Sequence, residues 1–259
     1  MKPKTDRGFV LSALVVGEAD KLLRLLTRGG GRIRAFARGV RKPRSRMASS
    51  LELFTESAFV LITSTRGDAF SLSQAKVLQG HPDLKKDLQA IFLLQLLADI
   101  LLGCLPEGEP HAALYDEVRN LLASWETYPS QREQLLAAFI LHFLKDGGYP
   151  LELEDCAQCG LALSGKNPVL VPHQGGALCR DCGGPVPPML QTTPQSMEWL
   201  KKLSELPLER AAILKLTPLQ IRSVFLTTLE YLQLTFEKPL RTLEYYLALP
   251  FPDLGEGKK

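Results

Sequence analysis

Four cysteines are the side chains of this sequence whose type and spacing point most directly to chemistry. They form two Cys-x-x-Cys pairs separated by nineteen residues: Cys156 with Cys159, and Cys179 with Cys182. Two intervening residues let both thiolates of a pair approach one tetrahedral ion, and the overall spacing is typical of zinc ribbons and knuckles. Four sulfur ligands would fill the coordination shell of zinc and leave no position for water. The pattern therefore predicts one structural Zn²⁺ per chain, held by these four residues, rather than a catalytic metal.

Two other interpretations of the cysteines stay open from the sequence: disulfide bonds, or a degenerate knuckle that binds no metal. A glycine follows each pair, Gly160 and Gly183, where a knuckle needs a permissive backbone. His173 lies between the pairs, and we expect it to be a surface loop residue because four sulfurs already suffice. The fifth cysteine, Cys104, falls in a leucine-rich stretch and is expected to be buried as a small apolar side chain.

The charge of the chain is strongly asymmetric, although its net value is only +3. The first 50 residues carry thirteen Lys or Arg against three Asp or Glu, an excess of +10, while the remaining 209 carry 18 basic and 25 acidic side chains, an excess of −7. A polycationic segment repels itself unless it meets an anion. Nucleic acid is the favoured partner, and an anionic membrane is less favoured because no amphipathic helical face accompanies the cations.

The densest cations lie on a predicted strand that begins near residue 31. Alternation along a strand places Arg32, Arg34, Phe36 and Arg38 on one face and small or apolar residues on the other. Guanidinium groups can pair with phosphates, and a phenyl ring offers a platform on which a base can stack. The alternative interpretation is that Phe36 is buried in a barrel and the arginines form a solvated face.

The cations continue past this strand into a loop that reaches residue 46 and holds no acidic residue. Recognition of specific bases is not indicated, because the donors lie in a flexible stretch without a recognition helix. The interpretation favoured here is backbone binding with little sequence preference. The candidate DNA-binding residues are Arg24, Arg32, Arg34, Phe36, Arg38, Arg41, Lys42, Arg44 and Arg46.

The elements that would position these groups begin with five short strands, predicted at residues 9–16, 22–27, 32–37, 59–63 and 70–77. Three glycines at 29–31 suit a tight turn between the second and third strands. The apolar start of the chain is interpreted as the first strand rather than as a signal peptide, since it is short and lacks a cleavage motif. Five strands in about eighty residues are expected to close into an OB-type barrel.

From Pro82 the hydrophobic period becomes helical, with helices predicted at 83–103, 111–126, 131–146, 193–204 and 217–236. Pro82 is expected at the first helical position. The apolar stretch that follows it contains Gln89, Gln95 and Asp99, which favours a buried helix over a membrane span.

The predicted fold class is α+β: an N-terminal five-stranded OB-type β-barrel followed by an α-helical domain with an inserted four-cysteine zinc knuckle. The predicted divisions are 1–80, 81–153, 154–186, 187–249 and a flexible tail at 250–259.

Several longer strings of this sequence resemble the RecO family of bacterial recombination and DNA-repair mediators, and they span most of the chain. The strings before each cysteine pair are more specific than the cysteines alone. The carriers are Asp20-Lys-Leu-Leu-Arg-Leu-Leu-Thr27, Gly31-Arg-Ile-Arg34, Ala37-Arg-Gly-Val-Arg-Lys-Pro-Arg-Ser-Arg46, Leu51-Glu-Leu-Phe-Thr55, Gly148-Tyr-Pro-Leu-Glu-Leu-Glu-Asp-Cys156-Ala-Gln-Cys159 and Gly175-Gly-Ala-Leu-Cys179-Arg-Asp-Cys182.

This resemblance implies an N-terminal OB-fold, a helical domain and a zinc knuckle. It also implies binding of single- and double-stranded DNA, annealing of complementary strands without nucleotide hydrolysis, and work with RecR to help load RecA onto strands coated by single-stranded DNA-binding protein. The helical domain would contact the acidic C-terminal tail of that coating protein. A cytoplasmic, nucleoid-associated protein without a membrane partner is expected.

The motifs of common enzyme classes are missing from the sequence, which favours a mediator over an enzyme. There is no Gly-x-x-x-x-Gly-Lys-Ser/Thr loop for nucleotide binding, no Gly-x-Ser-x-Gly elbow and no His-Glu-x-x-His pair. The expectation is therefore a non-enzyme that needs no nucleotide cofactor. The alternative function is an RNA- or ribosome-associated protein, because OB-folds and zinc knuckles also occur there.

Overall fold

The computed structural model of the chain describes residues 3–42, 45, 47–63 and 69–249. The described residues fall into two compact units. The first runs to Arg119 and includes residues 240–247, and the second is built from residues 120–239 together with residues 248–249. The five-part division made from the sequence stays a prediction.

The first unit is built around a closed barrel of five strands, as the sequence predicts. The strands follow the order β1-β2-β3-β5-β4 around the barrel, and all neighbours are antiparallel except β3 and β5. This is a small Greek-key barrel of the OB type. The strands are β1 (Pro3–Val16), β2 (Asp20–Thr27), β3 (Gly31–Ala37), β4 (Glu56–Ile62) and β5 (Phe70–Gln79).

The barrel interior is filled by the alternate side chains that the period of two directs inward. On β3 these are Ile33, Ala35 and Ala37, all of them buried. They join aliphatic and aromatic side chains from every other strand, among them Leu25 and Phe59, in one buried cluster. The same alternation leaves the other face of β3 for polar side chains.

The described residues also form eight α-helices: α1 (Leu88–Cys104), α2 (Ala112–Thr127), α3 (Arg132–Asp146), α4 (Arg180–Gly183), α5 (Pro194–Glu205), α6 (Leu208–Ala212), α7 (Pro218–Phe236) and α8 (Arg241–Leu247). The five predicted helices are all present. The short helices α4, α6 and α8 were not predicted, because four to seven residues are too few to show a helical period.

The predicted start of the first long helix at Pro82 is wrong. His81 has a left-handed backbone (φ 50°), and residues 84–86 form only a single 3-10 turn. The α-helix begins at Leu88, because the extended residue Asp87 caps it by accepting a hydrogen bond from the Ala90 N–H at 3.0 Å.

Helix α1 is mostly buried, as predicted, and two of its three polar residues bind α8. The Asp99 carboxylate accepts hydrogen bonds from the backbone N–H and the hydroxyl of Thr242, at 3.1 and 2.6 Å. Gln89 donates to the hydroxyl of Tyr246 at 3.2 Å. These two polar interruptions of the apolar stretch are therefore contacts to another helix. Among the described residues no helix is both long enough and apolar enough to cross a bilayer.

Helix α2 packs on the barrel through Tyr115. Its ring lies 5.0 Å from the ring of Phe9, and its hydroxyl donates a 2.5 Å hydrogen bond to the buried carboxylate of Glu56. Burial and this hydrogen bond raise the pKa of Tyr115, so the phenol keeps its proton.

The second unit is organised around α3, most of which is buried. Its Gln134 side chain donates to the carbonyl of Ala211 in α6 at 2.5 Å. Helix α7 begins with a capping box, in which the side chains of Thr217 and Gln220 each accept from the other's backbone N–H. Two three-residue strands, β6 (Val169–Val171) and β7 (Gly176–Leu178), form a small hairpin before α4.

We predict that Gly31→Ala destabilises the first unit by about 2–4 kcal/mol, since it combines backbone strain with a steric clash. Gly31 has a φ of 64°, and a Cβ atom there would lie 1.6 Å from the carbonyl oxygen of Glu109. Urea denaturation measures the loss. Gly80→Ala is the control, because a Cβ at that position meets nothing within 4 Å; equal losses in both variants would contradict the prediction.

Candidate nucleic-acid interface and metal centre

The outer surface of β1, β2 and β3 carries two neighbouring rows of side chains, which we call the basic row and the apolar row. In the basic row Arg24 of β2 lies opposite Ser12 of β1 on one side and Arg34 of β3 on the other. In the apolar row Leu22 lies between Leu14 and Phe36 in the same way. Leu14 and Phe36 expose 49% and 39% of their surface, so cations and apolar groups are presented side by side.

The predicted face of β3 is confirmed. Arg32, Arg34 and Phe36 point away from the barrel interior, and the alternative that Phe36 is buried is wrong. Arg38 is also exposed, although β3 ends one residue before it. The strand therefore offers the ring of Phe36 beside Arg34, and the exposed Arg38 follows directly after its end.

Arg32 is more buried, and bound more closely to the rest of the protein, than the sequence indicates. One of its guanidinium nitrogens, Nη1, donates to the carbonyl of Leu102 at 2.8 Å, and only 18% of its side chain is exposed. Burial lowers the pKa of Arg32, while the carboxylate of Glu107 partly opposes this effect. We conclude that Arg32 has a structural role in addition to its place on the face.

Glu107 is a residue of this surface that sequence reasoning missed. Its Oε2 lies 3.0 Å from Nε of Arg34, and its Oε1 lies 3.9 Å from Nη2 of Arg32. The contact joins β3 to the segment between α1 and α2, and such an ion pair between distant positions leaves no local signal in the sequence. The arginines of β3 are thus partly neutralised within the protein.

The described part of the basic loop is attached to the turn between β1 and β2. Arg41 donates from Nη1 to the carbonyls of Glu18 and Gly17, at 2.9 and 3.3 Å, and Asp20 accepts from the N–H of Gly39 at 2.8 Å. Arg41 and Lys42 are both exposed. Two further candidates, Arg44 and Arg46, lie outside the described residues.

The four predicted metal ligands come together in the second unit. The sulfur atoms of Cys156, Cys159, Cys179 and Cys182 all lie within 4.8 Å of one another, and those of Cys159 and Cys179 are 3.8 Å apart. Tetrahedral zinc with bonds of about 2.3 Å separates its sulfur ligands by about 3.8 Å, whereas a disulfide bond measures about 2.0 Å. All four thiols are free, so the cluster could hold a metal ion.

The environment of the thiols also suits a cation. Burial opposes ionisation of Cys156, but N–H groups of Cys159, Cys179 and Gln158 point at its sulfur and lower the pKa of this thiol to about 6. Contacts with the Cys179 and Cys159 side chains raise the pKa of Cys182 to about 12. The contacts among the thiols thus oppose ionisation of Cys182, and a bound cation would favour the thiolate forms.

Gly160 and Gly183, which follow the two cysteine pairs, have different structural roles. Gly160 has the predicted left-handed backbone, with a φ of 69°. Gly183 instead ends the short helix α4, and it is Gly184 that has a positive φ, of 60°. A Cβ on Gly183 would lie 2.0 Å from Cγ2 of Val169, so the second pair needs glycine for close packing. The predicted reason for Gly183 is therefore wrong.

Two other sequence predictions concern His173, which lies between the cysteine pairs in the sequence, and Cys104, the fifth cysteine. His173 is exposed in the turn between β6 and β7, as predicted, and it is not part of the sulfur cluster. Cys104 at the end of α1 is half-buried, so the burial predicted for it is only partial. A helix end exposes more of a side chain than the middle of the same helix.

Comparison with protein families gives two matches that together cover most of the chain. Residues 1–81 match the family model described as "Recombination protein O N terminal", and residues 85–244 match "Recombination protein O C terminal".

Individual relatives agree with these matches over about four fifths or more of their length. A DNA repair protein RecO of Pelotomaculum thermopropionicum is 32% identical, with 99% of this chain and 98% of that protein covered. One from Desulforamulus reducens is 29% identical, with 96% of each chain covered. Another, from Anaeromyxobacter dehalogenans, is 33% identical, with 79% of this chain and 80% of that protein covered.

Proposed function

The chain belongs to the RecO family of DNA repair and recombination proteins, and on that premise we propose that it binds DNA through its barrel and anneals complementary single strands. The observation that carries this proposal is the pair of rows on β1, β2 and β3, where cations lie beside exposed apolar side chains. Single strands are held by this combination with little sequence preference.

The rows suit a single strand because each supplies one of the two contacts that the strand needs. Arg24 and Arg34 would pair with phosphates, and Phe36 offers its ring to a base. OB-type barrels bind oligonucleotides on the face of their second and third strands, which is where these three side chains lie. The exposed cations Arg38, Arg41 and Lys42 extend the positive surface from the end of β3, and Arg32, Arg44 and Arg46 complete the proposed set.

The proposed annealing activity rests on the charge of this surface and on its leaving the base edges uncovered. Within the described part of the barrel no helix extends from the basic row to read base edges. Charge neutralisation removes the repulsion between two strands, and bases that are only stacked stay available for pairing. The proposed activity therefore requires no bond to be broken and no nucleotide cofactor, and the proposed role is that of a mediator rather than an enzyme.

The proposed partners follow from the same family. We propose that the protein binds single- and double-stranded DNA, and that with RecR it helps to load RecA onto strands coated by single-stranded DNA-binding protein. Contact with the C-terminal tail of the coating protein is assigned to the helical part of the chain. The proposed location is the bacterial cytoplasm, with the nucleoid.

We also propose that Cys156, Cys159, Cys179 and Cys182 hold one Zn²⁺ with a structural role. The support is the short sulfur separations and the four-thiolate donor set, which suits tetrahedral zinc. Bound there, the ion would supply a cross-link between the two cysteine pairs.

Annealing of complementary oligonucleotides coated with single-stranded DNA-binding protein, without ATP, tests the proposed activity. The protein should accelerate duplex formation, and denaturing gels with added magnesium should show intact strands. At equal nucleotide concentration, unlabelled non-complementary single-stranded DNA should inhibit annealing more strongly than structured RNA does, because single-stranded DNA is the proposed ligand. Stronger inhibition by the RNA would favour an RNA-binding function, and shortened strands would reveal a nuclease.

A charge-removal variant tests the basic surface. Replacing Arg24, Arg38 and Lys42 by Gln should weaken binding of single strands roughly tenfold or more and reduce the salt slope by about 2, since each lost phosphate contact removes about 0.7. Titrations by fluorescence anisotropy at several salt concentrations measure both quantities.

The matched control removes the same charge from the second unit. Lys145, Lys166 and Lys215 are exposed there, and their replacement by Gln changes the net charge equally. This control should keep most of the affinity and the full slope. An unchanged salt slope in the first variant would contradict the assignment of the surface.

The metal proposal predicts that Cys159→Ser lowers the zinc content and the stability of the second unit by more than about 3 kcal/mol, because metal binding contributes directly to folding. Elemental analysis and urea denaturation measure the two effects. Cys104→Ser, outside the cluster, should keep one zinc per chain. A stably folded, metal-free variant that loses annealing alone would show a direct role of the metal in activity.

A further inference from the structure

We propose that Glu107 is an internal competitor for the DNA phosphate and sets how tightly the barrel holds a strand. Its carboxylate lies on the guanidinium group of Arg34, where a phosphate of a bound strand would bind. The inference rests on the proposed binding of DNA to the basic row, and it adds to that row a residue of opposite charge.

The geometry of the contact places the carboxylate between two arginines. Oε2 of Glu107 lies 3.0 Å from Nε of Arg34, while Oε1 lies 3.9 Å from Nη2 of Arg32. Two oxygens of one anion facing two neighbouring guanidinium groups is also the arrangement by which arginines hold a phosphate. Both Arg34 and Glu107 keep a substantial exposed fraction, 39% and 41% of their side chains, so a ligand from solvent can reach the pair.

The segment that carries Glu107 is held by its backbone. The N–H of Gly108 donates to the carbonyl of Arg32 at 2.8 Å, and the guanidinium of Arg32 donates to the carbonyl of Leu102 at the same distance. The carbonyl of Glu109 lies against Gly31 so closely that only glycine fits there. The carboxylate can therefore leave Arg34 while the segment keeps its place.

The charges of the basic row explain why an anion is needed there. Arg24 and Arg34 lie directly opposite each other on β2 and β3, and like charges in that position repel. Burial lowers the pKa of Arg32 most, these two arginines lower it further by repulsion, and Glu107 raises it. Without a bound strand Glu107 offsets the repulsion, and a phosphate would offset it in the complex.

This exchange would suit a protein that anneals strands and must release them. A phosphate that displaces Glu107 from Arg34 releases its cation, but the freed carboxylate takes up a cation in turn, so little net release of cations occurs at that site. The affinity for DNA and its dependence on salt are then both lower than the number of arginines alone would give.

The test is the single substitution Glu107→Gln, which keeps the size of the side chain and removes its charge. Binding of a labelled oligothymidylate should tighten roughly fivefold at low salt, the factor that one unit charge a few ångströms from the phosphate gives in water. The salt slope should become steeper by about 0.7, because no freed carboxylate then takes up a cation that the phosphate releases.

Glu109→Gln is the matched control. It removes the same charge from the same segment, but the carboxylate of Glu109 faces His111, 3.9 Å away, and is 65% exposed. We expect its affinity to change by less than about twofold, since screening weakens the interaction of exposed charges at longer range. Equal effects of the two substitutions would overturn the inference, because general repulsion would then explain both.

Arg34→Gln, alone and combined with Glu107→Gln, locates the effect. If Glu107 acts by occupying Arg34, most of the gain from Glu107→Gln disappears in the double variant.

Thermal melting without DNA separates this role from a structural one. Lower stability of Glu107→Gln with unchanged affinity for DNA would overturn the inference. Should Glu107→Gln fail to fold, Glu107→Asp keeps the charge and withdraws the carboxylate, and it should also bind DNA more tightly; unchanged or weaker binding would overturn the inference.

Binding of DNA by the wild-type protein separates a failure of the Glu107 inference from a failure of the proposed function. Binding by the wild type with no gain in Glu107→Gln overturns this inference alone and leaves the proposed DNA binding intact. Absence of binding by the wild type and by Glu107→Gln overturns the proposed function, and this inference with it.

Discussion

Closure of the barrel through the parallel pairing of β3 and β5 is the constraint on which the rest of the first unit depends. The pairing covers only Ala35 to Ala37 on β3, opposite Phe70 to Leu72 on β5. The two alanines point inward, and their small side chains leave room for the larger residues of the opposite strands. Once these residues face inward, the period of two obliges the arginines and Phe36 to face outward. The chemistry of the outer surface is therefore a consequence of how the interior is packed.

The metal segment obeys a different constraint, which is its small size. Between α3 and α5 the regular structure consists of two three-residue strands and a four-residue helix. It buries a few apolar side chains, among them Leu170, Ala177 and Leu178, but little regular structure orders the rest of it. Contacts between backbone and sulfur, such as the 3.3 Å hydrogen bond from the Cys179 N–H to the Cys156 sulfur, bring the thiols together. A metal bound by the thiols would add to the stability of this segment.

The features that could be predicted from the sequence are those with a local period or spacing. The alternation on β3, the five strands and the two cysteine pairs each depend on residues close together in the chain. The predicted start of α1 is wrong although the sequence holds a local signal for the correct one. Asp87, a good N-cap residue, directly precedes the apolar run. The pairing of Arg34 with Glu107, the approach of Val169 to Gly183 and the helix α8 that binds Asp99 depend on tertiary structure. Nothing in the neighbouring sequence reports them.

The segment around Glu107 also completes a sheet whose edge would otherwise be open. Residues 31–34 of β3 lie beyond the reach of β5, and the exposed edge of a strand is a template for pairing with another chain. The hydrogen bond from Gly108 to Arg32 and the isolated parallel bridge between Arg32 and Glu107 occupy part of that edge. A strand from a second molecule would have to displace them before it could add to the barrel. The same few residues that bring a carboxylate to the arginines thus also cover part of the open edge of the sheet.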